Sequence, residues 1–156
     1  MISIDKLLHR FAVFTALCTF ILIFIGSLVK STESGLSVPD WPTTYGENMF
    51  MFPLSSMVGG IFYEHSHRLF ASFVGFCILI LASSIRFTNQ NKTLKIIGWT
   101  TLGVVIIQGI LGGLTVLFFL PAWISVSHAT LAQITFCLTI SIAVYTSNKW
   151  KETEIF

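Results

Sequence analysis

Apolar residues run almost unbroken through four stretches of the chain, at 11–29, 62–85, 94–119 and 125–145, and polar residues collect between them. Each stretch is near or above the roughly 20 residues that a helix needs to cross the hydrocarbon core of a bilayer. Lipid offers the backbone no hydrogen bonds, so spans of this kind are expected to be α-helices, which satisfy their own N–H and C=O groups. The pattern predicts an all-α fold, an integral membrane four-helix bundle, as a single membrane domain over residues 1–156 with lipid around it. Residues 30–60 make one long loop, and a short loop near Pro121 joins the last two spans.

Composition agrees. Hydrophobic residues make up 54% of the chain and charged residues 10%, where a soluble domain carries about 25% charged. Lys6 and Arg10 precede the first span, Arg86, Lys92 and Lys95 lie between the second and third, and Lys149 and Lys151 follow the fourth. The opposite side holds Lys30, with Arg68 at the edge of its helix. By the excess of Lys and Arg on cytoplasmic loops, both termini are expected in the cytoplasm and the 30–60 loop outside the cell membrane. The net charge of +2 sits mostly in those cytoplasmic segments and points to no nucleic acid partner. The first apolar run is too long for a signal core and lacks a small-x-small cleavage site, so it is read as a retained helix. Cys18, Cys77 and Cys137 all fall inside spans, where thiols are expected to pack as small apolar groups.

The 30–60 loop exceeds the 12–15 residues beyond which loops are usually functional or disordered, and its aromatic content argues against disorder. Gly35, Pro39, Pro42 and Gly46 punctuate it as turns. Trp41 and Tyr45 suit the membrane interface, and Met49, Phe50, Met51 and Phe52 are expected to form a lid. The third span carries Gly98, Gly103, Gly109, Gly112 and Gly113. Helix packing is the leading explanation, and a flat face against a large planar ligand is the other.

The chemistry concentrates in Glu64-His65-Ser66-His67-Arg68, at the start of the second span. Ionisable groups inside a membrane span are costly and mark a functional site by default. Glu64 stands three residues before His67 and four before Arg68, so the three share a helix face. His65 points nearly the opposite way, towards the interface or another helix. His128 opens the fourth span at a depth close to that of His67, so two imidazoles on facing helices can hold one iron from both sides. Heme iron fits a two-histidine set better than zinc, which wants three or four protein ligands. The plain alternative is that each histidine only hydrogen-bonds a neighbouring helix. His9, among basic residues, is read as interfacial. Arg68 has two readings, an ion pair with Glu64 or a fork on a heme propionate. Glu64, near iron, is suited to proton relay or to stabilising positive charge on a substrate.

Several separated stretches resemble the heme A synthase family. They are Gly26-Ser-Leu-Val-Lys-Ser-Thr-Glu-Ser-Gly-Leu-Ser37, Pro39-Asp-Trp-Pro42, Glu64-His-Ser-His-Arg68 with Ala71 and Gly75, Gly109-Ile-Leu-Gly-Gly-Leu-Thr-Val116, Leu120-Pro121 and His128-Ala-Thr-Leu-Ala132. Order and spacing agree over roughly residues 24–137. The resemblance implies a bis-histidine heme site near the outer face of a four-helix unit. It also implies oxidation of a ring methyl of heme O to a formyl, with oxygen from water, giving heme A for terminal oxidases. By motif, Glu64 corresponds to the catalytic carboxylate and His67 and His128 to the iron ligands. Relatives typically have eight spans in two halves, and this chain resembles the first half. A homo-oligomer or a second four-helix half is therefore expected as partner, with a heme O synthase and an electron acceptor beside it. Many relatives carry a cysteine pair in the first outer loop, where Val38 and Thr44 stand here. A non-catalytic bis-histidine cytochrome b and a heme-handling assembly factor are the competing functions.

Overall fold

The computed structural model describes residues 4–153. Four long helices, α1 (Ile4–Ser31), α2 (Gly60–Phe87), α3 (Lys92–Leu117) and α4 (Ala122–Tyr145), are followed by a short α5 (Asn148–Thr153). All four long helices have the length and apolarity to cross a membrane. The molecule is an all-helical, multi-pass membrane bundle, as the hydropathy pattern predicts. The helices outrun the apolar stretches by a few residues because polar residues also sustain helix. At the start of α3, for example, the Asn91 side chain accepts from the Leu94 N–H at 2.8 Å and caps the first turn. The third helix stops two residues short of the predicted span. Phe119 and Leu120 take φ of 57° and 58°, left-handed values that end a right-handed helix at once.

The helices run up, down, up, down, and each packs along its two sequence neighbours, with α4 closing the ring on α1. The diagonal pairs, α1 with α3 and α2 with α4, share no such seam. Buried threonines within the spans return their hydroxyls to the preceding turn, as Thr15 does to the Phe11 carbonyl and Thr101 to that of Ile97, at 2.9 and 2.8 Å. No polar hydrogen of these side chains is left facing lipid.

The apolar core is one-sided. One buried cluster joins Leu8, Ala12, Leu81, Ile85, Leu94 and Ile142. A second joins Cys18, Val74, Ile78, Ala82 and Leu102. Both draw on the half of the bundle nearest the termini. In the other half, beneath the 32–59 loop, no apolar cluster of this kind forms among the described residues, and the buried side chains include Glu64 and His65. Packing is therefore delegated to one end and polar chemistry to the other.

Candidate functional site

Helical side chains lean towards the helix N-terminus, and the N-termini of α2 and α4 lie at the loop end. The ionisable groups of α2 consequently reach up towards the loop. Arg68 Nη2 donates to Glu64 Oε1 at 2.6 Å and to the Val38 carbonyl at 2.7 Å. Its Nη1 donates to the carbonyls of Asp40 and Thr43 at 2.7 and 3.2 Å. Glu64 Oε2 accepts from the Val38 N–H at 2.8 Å. Both carboxylate oxygens are thus engaged, and of the guanidinium's five N–H donors only the one on Nε has no partner among the described residues. Of the two readings of Arg68, the structure displays the ion pair with Glu64. The guanidinium ties that pair to the loop.

Asp40 organises the loop from within. Its carboxylate accepts from the Thr43 hydroxyl and from the backbone N–H groups of Tyr45 and Gly46, the latter two at 2.8 Å. Burial pushes the carboxyl up, but these donors outweigh it and hold the group below its ordinary value. Thr44, fully buried, meets His65 Nδ1 at 3.1 Å, and the Phe52 ring lies 5.1 Å from the His65 ring. His65 is 1% exposed. It faces the folded loop, so neither of the surroundings expected for it, the interface or another helix, is the one found. The loop also reaches α3: a Cβ on Gly113 would run into the Trp41 indole, so only glycine admits that ring.

His67 does not join Glu64 and Arg68 in a hydrogen bond among the described residues, although the three share a helix face. Its ring lies instead on α1, at Gly26. His128 lies in the same manner on α3, at Gly112. His67 stands seven residues into α2 from Gly60 and His128 six residues into α4 from Ala122. At 1.5 Å per residue both are about 10 Å below the helix starts. The two imidazoles are near enough to interact electrostatically, although α2 and α4 are diagonal in the bundle. Nδ1 of each is buried without a hydrogen-bond partner. The expected alternative, in which each imidazole hydrogen-bonds a neighbouring helix, leaves these atoms unexplained.

Gln108, a residue the sequence reading passed over, donates from Nε2 to the His128 carbonyl at 3.0 Å. A carbonyl can only accept, so the amide is oriented by that bond, and Oε1 is left buried and unpartnered. An uncharged amide in the middle of an apolar helix gives a weak signal, and its spacing to Gly112 of one turn is the only clue. His9 also does more than sit at an interface: Nδ1 lies 3.1 Å from the Ala143 carbonyl and 3.3 Å from the Thr146 hydroxyl, joining α1 to the end of α4.

The donor set fits a porphyrin better than a bare ion. Among the described residues no group of three or more His, Cys, Asp or Glu gathers to cage a metal. A porphyrin brings its own four equatorial nitrogens and asks the protein for one or two axial ligands. Two imidazoles at matching depth, held across a half of the bundle that lacks an apolar core, meet that requirement.

Fold and site together define an integral membrane helical bundle with a pair of inward histidines beneath a clasped loop. Residues 9–57 and 48–140 match the COX15-CtaA family, cytochrome oxidase assembly protein, and the chain belongs to that family. It is 26% identical over 138 residues to a heme A synthase of Lysinibacillus sphaericus, covering 88% of this chain and 44% of that protein. It is 30% identical over 131 residues to a heme A synthase of Halalkalibacterium halodurans, covering 80% and 41%. With that of Shouchella clausii the identity is 29% over 153 residues, covering 94% and 49%. The chain spans about half the length of the curated relatives it matches. No solved structure gives a significant match.

Proposed function

We propose that the chain acts in heme A biosynthesis as a heme A synthase-like membrane oxidoreductase, in which a ring methyl of heme O is converted to a formyl with water as the oxygen source. His67 and His128 would hold the iron of the substrate heme between α2 and α4. The observation that carries this reading is the pair of buried imidazoles at matching depth on diagonal helices, each ring seated on a glycine of the preceding helix. The family membership supports it. Bound iron supplies the redox chemistry. The chain's own residues do the rest: the two histidines orient the ring, the Trp41 loop and α3 cover it, and Glu64 stabilises positive charge at the reacting methyl or takes its proton. Arg68 holds Glu64 in place and keeps its Nε donor for an anionic edge of the porphyrin. The loop end faces the exoplasmic side of the cytoplasmic membrane, in keeping with the Lys and Arg distribution. A second four-helix unit, from another copy of this chain or another polypeptide, works beside it, with a heme O synthase and an electron acceptor as neighbours.

The test is co-expression with a source of heme O and chromatographic identification of the porphyrin that copurifies. Heme A or hydroxylated heme O is expected. Glu64→Gln should keep heme bound and stop the conversion, and a normal yield of heme A from that variant removes Glu64 from the chemistry. One observation favours a second reading, a non-catalytic cytochrome b: both Glu64 oxygens are already occupied by Arg68 and the Val38 N–H. Heme b alone in the purified protein is the outcome that selects it.

A further inference from the structure

Five of the described glycines on the membrane helices separate into three kinds by what a Cβ would meet. Beside Gly98 lie Ile85 and the Ala82 Cα of α2, at 3.4 and 3.7 Å, an ordinary helix–helix approach. Around Gly103 and Gly109 nothing comes within 4 Å. At Gly26 the three nearest atoms are all imidazole atoms of His67: Cε1 at 3.1 Å, Nδ1 at 3.6 Å and Nε2 at 3.9 Å. At Gly112 they are the same three atoms of His128, at 3.1, 3.7 and 3.8 Å. Atom by atom, the two contacts agree within 0.1 Å.

The placement repeats as well. Gly26 stands five residues before the end of α1 at Ser31, and Gly112 five before the end of α3 at Leu117. Each hairpin therefore presents a glycine at one depth on its first helix and lays on it a histidine from its second. The flanking sequences do not match, and the loops that join the helices differ in length, residues 32–59 against 118–121. Close helix approach alone does not account for this, because it would bring backbone to the glycine, as at Gly98.

We propose that Gly26 and Gly112 are paired positioning residues, each giving a bare Cα on which the Cε1 corner of a ligand imidazole rests, so that both hairpins aim their histidines into the bundle by one device. The inference rests on the reading of His67 and His128 as an axial pair. A methyl at either position would push the ring by a few tenths of an ångström and rotate it, changing where Nε2 points. Supports of this kind, one layer behind a ligand, are worth about 10- to 100-fold in metal affinity.

The experiment titrates heme b into the purified full chain in detergent micelles and reads the dissociation constant, the low-temperature EPR g-values and the midpoint potential. Gly26→Ala and Gly112→Ala should each weaken heme binding by about 10-fold or more and shift the g-values and the potential. Gly75→Ala and Gly103→Ala, at open positions, should change none of these. Unchanged g-values and potential in both cradle variants overturn the proposal, even where thermal stability falls. His67→Ala and His128→Ala separate it from the reading beneath it. If they keep the wild-type low-spin spectrum, the axial pair falls and the proposal with it. If they lose that spectrum while the glycine variants match wild type, only the cradle falls. A measurement on the wild-type chain needs no variant to fold. With glycine Cα and histidine Cε1 labelled by carbon-13, solid-state correlation spectra should show short-range cross-peaks from two histidines, and their absence overturns the proposal.

Discussion

Replacing Arg68 by leucine removes four donated hydrogen bonds and leaves Glu64 as a buried carboxylate with backbone N–H donors but no cation beside it. The side chains of the pair are 9% and 4% exposed, so solvent does little to screen the loss. Breaking one partner out of a buried ion pair costs about 3–5 kcal/mol. The carbonyls of Asp40 and Thr43, on half-buried residues, can turn to water, so each adds only about 0.5 kcal/mol, while that of the fully buried Val38 adds about 1 kcal/mol. Arg68→Leu should therefore cost about 5–7 kcal/mol. Removing Glu64 as well takes away the stranded charge, and Arg68→Leu with Glu64→Leu should cost only about 1–3 kcal/mol. The double variant is thus more stable than the single one, which is an unusual sign. SDS titration followed by circular dichroism measures the cycle, and chymotrypsin cleavage after Tyr45 reports whether the loop has come free. A double variant no more stable than Arg68→Leu would refute the argument that the stranded charge dominates.

Acid should release the loop through Asp40. Its carboxyl is held below the ordinary value of 3.8 in the folded loop. The stabilisation it gives is therefore complete above that value, and fades as pH falls through it towards the lower folded value. Resistance of the 41–45 region to an acid-active protease should be flat down to about pH 4 and fall below it. In Asp40→Ala that resistance should be lower throughout, with a shallower acid limb, and an unaltered profile sinks the assignment. At Gly113 an added methyl must displace the Trp41 indole, at about 1–3 kcal/mol for overpacking. With Trp99, Trp123 and Trp150 replaced by Phe, the Gly113→Ala variant should show a red-shifted Trp41 emission, and an unshifted spectrum would count against the contact.

The four helices were legible because hydropathy is a sum over some twenty residues, and no single side chain can overturn it. Depth along a helix was equally legible: counting residues from Gly60 and Ala122 is enough to bring His67 and His128 level. Direction around the helix was harder. Periodicity groups Glu64, His67 and Arg68, yet the loop captures the first and last, and Gly26 receives the third. That division depends on where a 28-residue connection folds back, which no local pattern encodes. The same loop decides His65, whose partner Thr44 lies 21 residues away. Glycines 98 to 113 show the limit most clearly. One composition signal covers five positions, and the structure gives them a helix contact, two open surfaces, an imidazole and an indole.

Arg68 and Glu64 grip their loop through the N–H of Val38 and the carbonyls of Val38, Asp40 and Thr43. Those are groups that nearly every amino acid possesses. Side chains at 38 and 43 can accordingly drift over evolution without loosening the clasp, provided the newcomer fits the space. Proline at 38, which has no N–H to give, is the exception. A deletion or insertion of one residue between 38 and 43 is a different matter, because it would shift the spacing of every gripped atom at once. Selection on this segment should therefore conserve its length more strictly than its spelling.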